Sequence, residues 1–188
     1  MRTLARSILA LTIASPLVAQ QQASMSPAAP VPPAVGDMAP DFTAAWADAS
    51  GPRARPVSLA ELRGKVVVVA FYPADRTSGC TAEMTKFRDE YKTLFGEDVV
   101  VLPTSKDGLE AHASWAKDMN MPFPLVSDPD GRMAQAYGSQ AAPGRAFARN
   151  TFVIGKDGRI AYTAIRFNAL SEDAYTQLAA AIAEARKK

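Results

Sequence analysis

One cysteine and one histidine stand among 188 residues. A lone Cys80 forms no disulfide within its own chain, no Cys-x-x-Cys dithiol and no multi-cysteine zinc site, so its chemistry is that of a single thiolate. It closes the segment Pro73-Ala74-Asp75-Arg76-Thr77-Ser78-Gly79-Cys80, which leaves a β-branched run, turns, and enters an amphipathic stretch. A cysteine at a helix start meets the unpaired N–H groups of the first turn and the positive end of the dipole, and both favour thiolate over thiol. Arg76, and Arg149 if the fold brings it close, would favour the thiolate further. An inert buried cysteine is the competing reading. Thr77 stands three residues before Cys80, the spacing of a dithiol motif with a hydroxyl in place of the first sulfur. Such a site cannot transfer an internal disulfide, but it can make a nucleophilic attack. A hydroxyl and an arginine suit a peroxide, one to orient the O–O bond and one to stabilise charge growing on the leaving oxygen. A helix cap is the plainer role for Thr77.

The elements that must position these groups are readable in outline. Residues 65–72 (KVVVVAFY), framed by Gly64 and Pro73, alternate too little for a one-sided strand and predict a central strand buried on both faces. Met84, Phe87, Tyr91 and Leu94 recur at helical spacing, which predicts one amphipathic helix over 80–94. A second strand is expected over 98–103, ending at Leu102-Pro103, and a helix over 109–119. Two segments, 150–154 and 159–166, flank Gly155-Lys156-Asp157-Gly158, whose Asp-Gly pair signals a tight hairpin with positive φ values. A last helix opens at Ser171 with Glu172 and Asp173 in its first turn. The order strand, helix, strand, helix, hairpin, helix predicts an α/β domain with a mixed central sheet flanked by helices. It is compatible with a thioredoxin-like fold, and pattern alone leaves flavodoxin-like arrangements open.

Pro73-x-x-x-Thr77-x-x-Cys80 matches the PxxxTxxC motif of the peroxiredoxins, and the run FYPADRTSGCTAEMTKFRDEY resembles their bacterioferritin-comigratory, or PrxQ, branch. The likeness extends over nearly all of residues 36–188: an opening Val35-Gly36-Asp37-Met38-Ala39-Pro40-Asp41-Phe42, a stretch over 107–138 with His112, and Arg149-Asn150-Thr151-Phe152-Val153-Ile154. It implies a thioredoxin fold with Cys80 as peroxidatic nucleophile. Thr77 would hydrogen-bond thiolate and peroxide, Arg149 would hold and polarise both, and Pro73 would shield the nascent sulfenic acid from water. Glu83 falls where the branch has a glutamate near the site, so it would orient the arginine; an acid complementing the helix dipole is the alternative. No cofactor or metal is implied. His112 takes a structural position in this likeness, which argues against a Cys-His hydrolase.

The chain departs from the branch at Thr85, where a resolving cysteine often stands, so the resemblance is to a one-cysteine peroxiredoxin. It implies a thiol-dependent peroxidase for hydrogen peroxide and organic hydroperoxides. The sulfenic acid would then be met by an external thiol: a small thiol, a glutaredoxin- or thioredoxin-type partner, or Cys80 of a second copy. A non-catalytic thioredoxin-fold binding module is the rival reading. Asp75-Arg76 also departs, replacing more neutral residues.

Residues 1–19 carry Arg2 and Arg6, no acid, and an uncharged stretch from Ser7 to Ala19, which predicts a secretory signal peptide too short to span a bilayer as a helix. Residues 20–35, with Pro27, Pro30, Pro32 and Pro33 and no charge, read as a tether before a domain over 36–188. Of 21 basic residues, loss of Arg2 and Arg6 leaves 19 against 19 acidic ones. That balance gives no basic field for nucleic acid or anionic membrane. The expectation is a periplasmic or secreted protein without stable membrane insertion, monomeric or weakly dimeric.

Overall fold

The computed structural model describes residues 31–140 and 145–187. The expected signal peptide and residues 20–30 of the expected tether lie outside them. In chain order the elements are β1 (Thr43–Asp48), β2 (Gly51–Pro52), β3 (Val57–Ser58), a 3-10 turn (Ala60–Leu62), β4 (Val66–Phe71), α1 (Ser78–Asp89), α2 (Tyr91–Leu94), β5 (Val99–Ser105), α3 (Leu109–Asp118), β6 (Leu125–Ser127), α4 (Arg132–Ala136), β7 (Thr151–Ile154), β8 (Ile160–Ala164) and α5 (Glu172–Lys187). No helix among the described residues is long and apolar enough to cross a membrane.

Strand β4 ties the layers together. Each of its residues is at most 2% exposed, as a strand covered on both faces requires. Successive side chains point to opposite faces, so Val66, Val68 and Ala70 enter one apolar cluster while Val67, Val69 and Phe71 enter another. The first also holds Met84 and Phe87 of α1, Trp115 of α3, and Leu178 and Ile182 of α5. The second takes Phe42, Met133, Tyr137, Phe147 and Phe152. Burying one large apolar side chain contributes roughly 1.5–3 kcal/mol, so β4 is fixed from both sides and the turn after it leaves from a rigid point.

The sheet order is β2-β1-β6-β5-β4-β7-β8, with β3 paired to β1. β4, β5 and β6 run parallel, whereas β7 is antiparallel to β4 and β8 to β7. An antiparallel β7 directly beside β4 excludes the flavodoxin-like order and gives the thioredoxin-like one.

Three expectations about elements are corrected. The single helix over 80–94 is two, because Glu90 at φ −104, ψ 17 turns the chain between α1 and α2; beyond it Tyr91 stacks on Phe123. β5 does not end at Pro103 but runs through it to Ser105. Thr104 O accepts from Tyr72 N at 3.0 Å, so the polar atoms of Thr104 face β4 and those of Pro103 face β6, whose ladder begins only at Thr104. The imino nitrogen therefore breaks no sheet bond. In the hairpin loop only Gly158 has positive φ, and the loop closes with Gly155 N donating to Arg159 O (2.8 Å) and Gly158 N to Gly155 O (2.9 Å). It is a five-residue connection with one left-handed residue, not a tight turn with several.

Candidate active site

Helix α1 starts at Ser78 with Thr77 in the N-cap position, which makes Cys80 its third residue. The buried residues of α1 are Cys80, Glu83, Met84 and Phe87, the i, i+3, i+4, i+7 set of one face. Met84 and Phe87 anchor that face in the core, and the same periodicity sets a thiol and a carboxylate side by side one turn earlier. Cys80 is 1% exposed and Glu83 fully buried.

Arg149, just before β7, completes the cluster. Its Nη2 donates to Cys80 Sγ at 3.3 Å and its Nη1 pairs with Glu83 Oε2. The backbone around it is pinned on both sides. Phe167 N donates to Arg149 O (2.6 Å), and Phe71 N at the end of β4 donates to Asn150 O (2.8 Å). The Asn150 side chain accepts from Arg166 N (2.9 Å) and donates to Ser139 Oγ (3.1 Å). Gly79 leaves the guanidinium its space: a Cβ there would stand 3.3 Å from Arg149 Nη2.

Burial dominates the carboxylate's electrostatics. It outweighs the attraction of Arg149 and pushes the Glu83 carboxyl up from 4.5 to about 7. Glu83 Oε1 has no hydrogen-bond partner among the described residues. Burial also works against the charge on Arg149, but Glu83 and the Cys80 sulfur together outweigh it and raise the pKa of Arg149. A guanidinium that keeps its proton thus sits against the sulfur at all working pH values.

Thr77 and Pro73 lie on the loop that delivers Cys80. Thr77 is exposed, makes no side-chain cap bond, and donates its hydroxyl to Ala74 O at 3.1 Å. Pro73 is half-buried at the loop's start. Arg76 is not beside the thiolate, contrary to expectation. With its backbone left-handed at φ 61, its side chain runs to α3, where Nη2 meets Asp118 Oδ2 (2.7 Å) and donates to Ser114 Oγ (3.0 Å). His112 forms no pair with Cys80, because its two ring nitrogens face Asp75 Oδ2 (2.9 Å) and Val126 O (3.2 Å). Asp128-Pro129-Asp130-Gly131 is a turn, with the Asp128 carboxylate accepting from Met133 N (3.2 Å) and Ala134 N (2.8 Å) at the start of α4.

The structure therefore joins Cys80, Glu83 and Arg149 directly, with Pro73 and Thr77 on the adjoining loop. Sequence reasoning missed Asn150, which braces Arg149, and the bond between Asp75 and His112. The unusual Asp75-Arg76 pair is the signal that could have pointed to the latter.

The sequence pattern of the AhpC/TSA family matches residues 35–163. The chain is 33% identical over 132 residues to peroxiredoxin Bcp of Bacillus subtilis, covering 67% of this chain and 81% of that one. It is 40% identical over 108 residues to the chloroplastic peroxiredoxin Q of Sedum lineare, covering 55% of this chain and 56% of that one. The crystal structure of peroxidoxin BcpB from Mycobacterium tuberculosis superposes with a TM-score of 0.68 at 30% identity, over 81% of this chain and 97% of the other. With its arginine-bonded cysteine at the head of α1, this chain belongs to the AhpC/TSA family, among the peroxiredoxins of the Bcp and PrxQ kind, as a one-cysteine member.

Proposed function

We propose that the protein is a thiol-dependent peroxidase that reduces hydrogen peroxide and organic hydroperoxides at Cys80. The observation that carries this reading is the Arg149 bridge, one guanidinium bonded to both Cys80 Sγ and Glu83. A fixed cation beside the sulfur stabilises the thiolate before attack and the negative charge on the departing oxygen during it. The thiolate attacks the terminal peroxide oxygen; an S–O bond forms, the O–O bond breaks, and the leaving oxygen takes a proton to depart as water or alcohol. Thr77 orients the peroxide and Pro73 keeps water from the sulfenic acid, roles supported by their place in the PxxxTxxC motif. Glu83 holds Arg149 in line.

With Thr85 in the resolving position and no second cysteine in the sequence, the cycle closes from outside. One external thiol condenses with Cys80–SOH to a mixed disulfide and water, and a second thiol releases the reduced enzyme. A non-catalytic module is disfavoured, since packing alone gives no reason to bury a charged arginine against the sulfur. Peroxide consumption with dithiothreitol is the test. Cys80→Ser abolishes it, and Arg149→Ala lowers the rate by about 10²-fold or more. Wild type no faster than Cys80→Ser would sink the reading. The charged-then-apolar start supports export to the periplasm or medium, which the N-terminal residue of the mature protein, read by mass spectrometry, checks: cleavage near Ala19 is expected, and an intact Met1 start contradicts it.

A further inference from the structure

The loop that carries Pro73 and Thr77 into Cys80 has a buried fastening that the peroxidase chemistry leaves unused. His112 of α3 is wholly buried. Its Nδ1 lies 2.9 Å from Asp75 Oδ2 in the loop and its Nε2 3.2 Å from the Val126 carbonyl of β6. The side chain of Asp75 is 5% exposed, and its other oxygen accepts from the Tyr72 hydroxyl at 2.7 Å. Burial, and then the charge of Asp75, raise the pKa of Tyr72 well above its ordinary value, so this hydroxyl keeps its proton. Asp75 N donates in turn to Asp107 Oδ2 at 2.9 Å. The charged or titratable groups that face the imidazole are thus Asp75 from the loop and, behind it, Tyr72 and Asp107. β6 offers a carbonyl and the Ser127 hydroxyl, already donated to Asp107 O (2.7 Å). Arg76, next in the chain, is turned out to Asp118.

Both ring nitrogens are thus spent, one on the loop and one on the sheet. Removing the ring would leave buried polar groups of the loop and of β6 without their partner, which is costly.

We propose that His112 is a positioning residue: bonded at once to Asp75 Oδ2 and to Val126 O, it clamps the active-site loop onto β6, and loss of this bridge loosens the loop and slows attack by Cys80. It touches neither sulfur nor peroxide. The proposal rests on the peroxidase reading, but half of its test does not.

Because the chain has one histidine, its ring signals are unambiguous in nitrogen NMR of labelled protein, and Asp75→Ala shifts the Nδ1 signal. His112→Gln lowers kcat/KM for hydrogen peroxide by about 10- to 100-fold, the effect of a misplaced reacting group. Asp75→Ala lowers it by a similar factor, and the double variant costs no more than either single one, because both act through one bridge. Asp75→Asn, whose carbonyl still accepts from Tyr72 and whose amide still reaches Nδ1, retains most of the rate. A merely structural histidine would lower the melting temperature of His112→Gln without lowering kcat/KM where the variant is folded. Fully additive losses in the double variant, or an Nδ1 signal that Asp75→Ala leaves unchanged, overturn the clamp. A wild type that consumes no peroxide overturns the peroxidase reading instead.

Discussion

Glu83→Gln isolates the most unusual charge in the site. The carboxyl is fully buried, and burial lifts it from 4.5 to about 7 even with Arg149 attached. Below pH 4.5 folded and unfolded chains both carry its proton; between 4.5 and 7 only the folded chain does; above 7 neither does. Its contribution to stability is therefore fully present below 4.5 and falls by about 1.4 kcal/mol per pH unit until it is gone above 7. Over that interval the loss is about 3 kcal/mol. Glutamine has no proton to lose and still accepts from Arg149, so its stability relative to wild type should climb by about that amount between pH 4.5 and 8. Denaturant unfolding of both proteins across this range measures the difference directly, and the difference cancels every other titrating group. Parallel stability curves would refute the argument, because they would mean that Glu83 is solvated or that Arg149 holds it ionised throughout.

Two further substitutions probe the geometry. Gly79→Ala sets a Cβ 3.3 Å from Arg149 Nη2, tight enough to displace the guanidinium by a few tenths of an ångström. Alanine is the better helix former by about 0.5–1 kcal/mol, so the variant should unfold no more easily while its peroxide rate drops severalfold; an unchanged rate in a stopped-flow assay counts against the close approach. Arg76→Ala removes an ion pair whose side chains are 51% and 57% exposed, worth about 1 kcal/mol or less. It should leave the rate within a factor of about two, and a large loss would return Arg76 to the thiolate's neighbourhood.

What could be read beforehand divides along physical lines. β4 is legible because four consecutive valines bounded by Gly64 and Pro73 permit little else, and the start of α1 follows from the turn before it. β1, with the sequence TAAWAD, lacks a β-branched run and is held by pairing with β6, far away in the chain. β6 itself is three residues long, so its existence depends on β5 beside it. Cys80 and Glu83 share a face by helical period alone, whereas the meeting of Arg149 with them came from family likeness, since no local pattern carries a contact across the sheet. The same holds for His112 and Asp75, whose bond depends on how α3 lies over the loop. Arg76 was misplaced because proximity in sequence says nothing about direction, and a left-handed residue reversed it.

The stripe of α1 that packs the core is also the stripe that aims the sulfur. Each residue turns the helix by about 100°, so a one-residue insertion or deletion between Cys80 and Phe87 would swing either the thiol away from Arg149 or the phenyl ring out of the core. The half-buried positions between them can change one at a time, but the length of the stretch cannot drift. The distance in sequence from nucleophile to anchor is as constrained as the nucleophile itself.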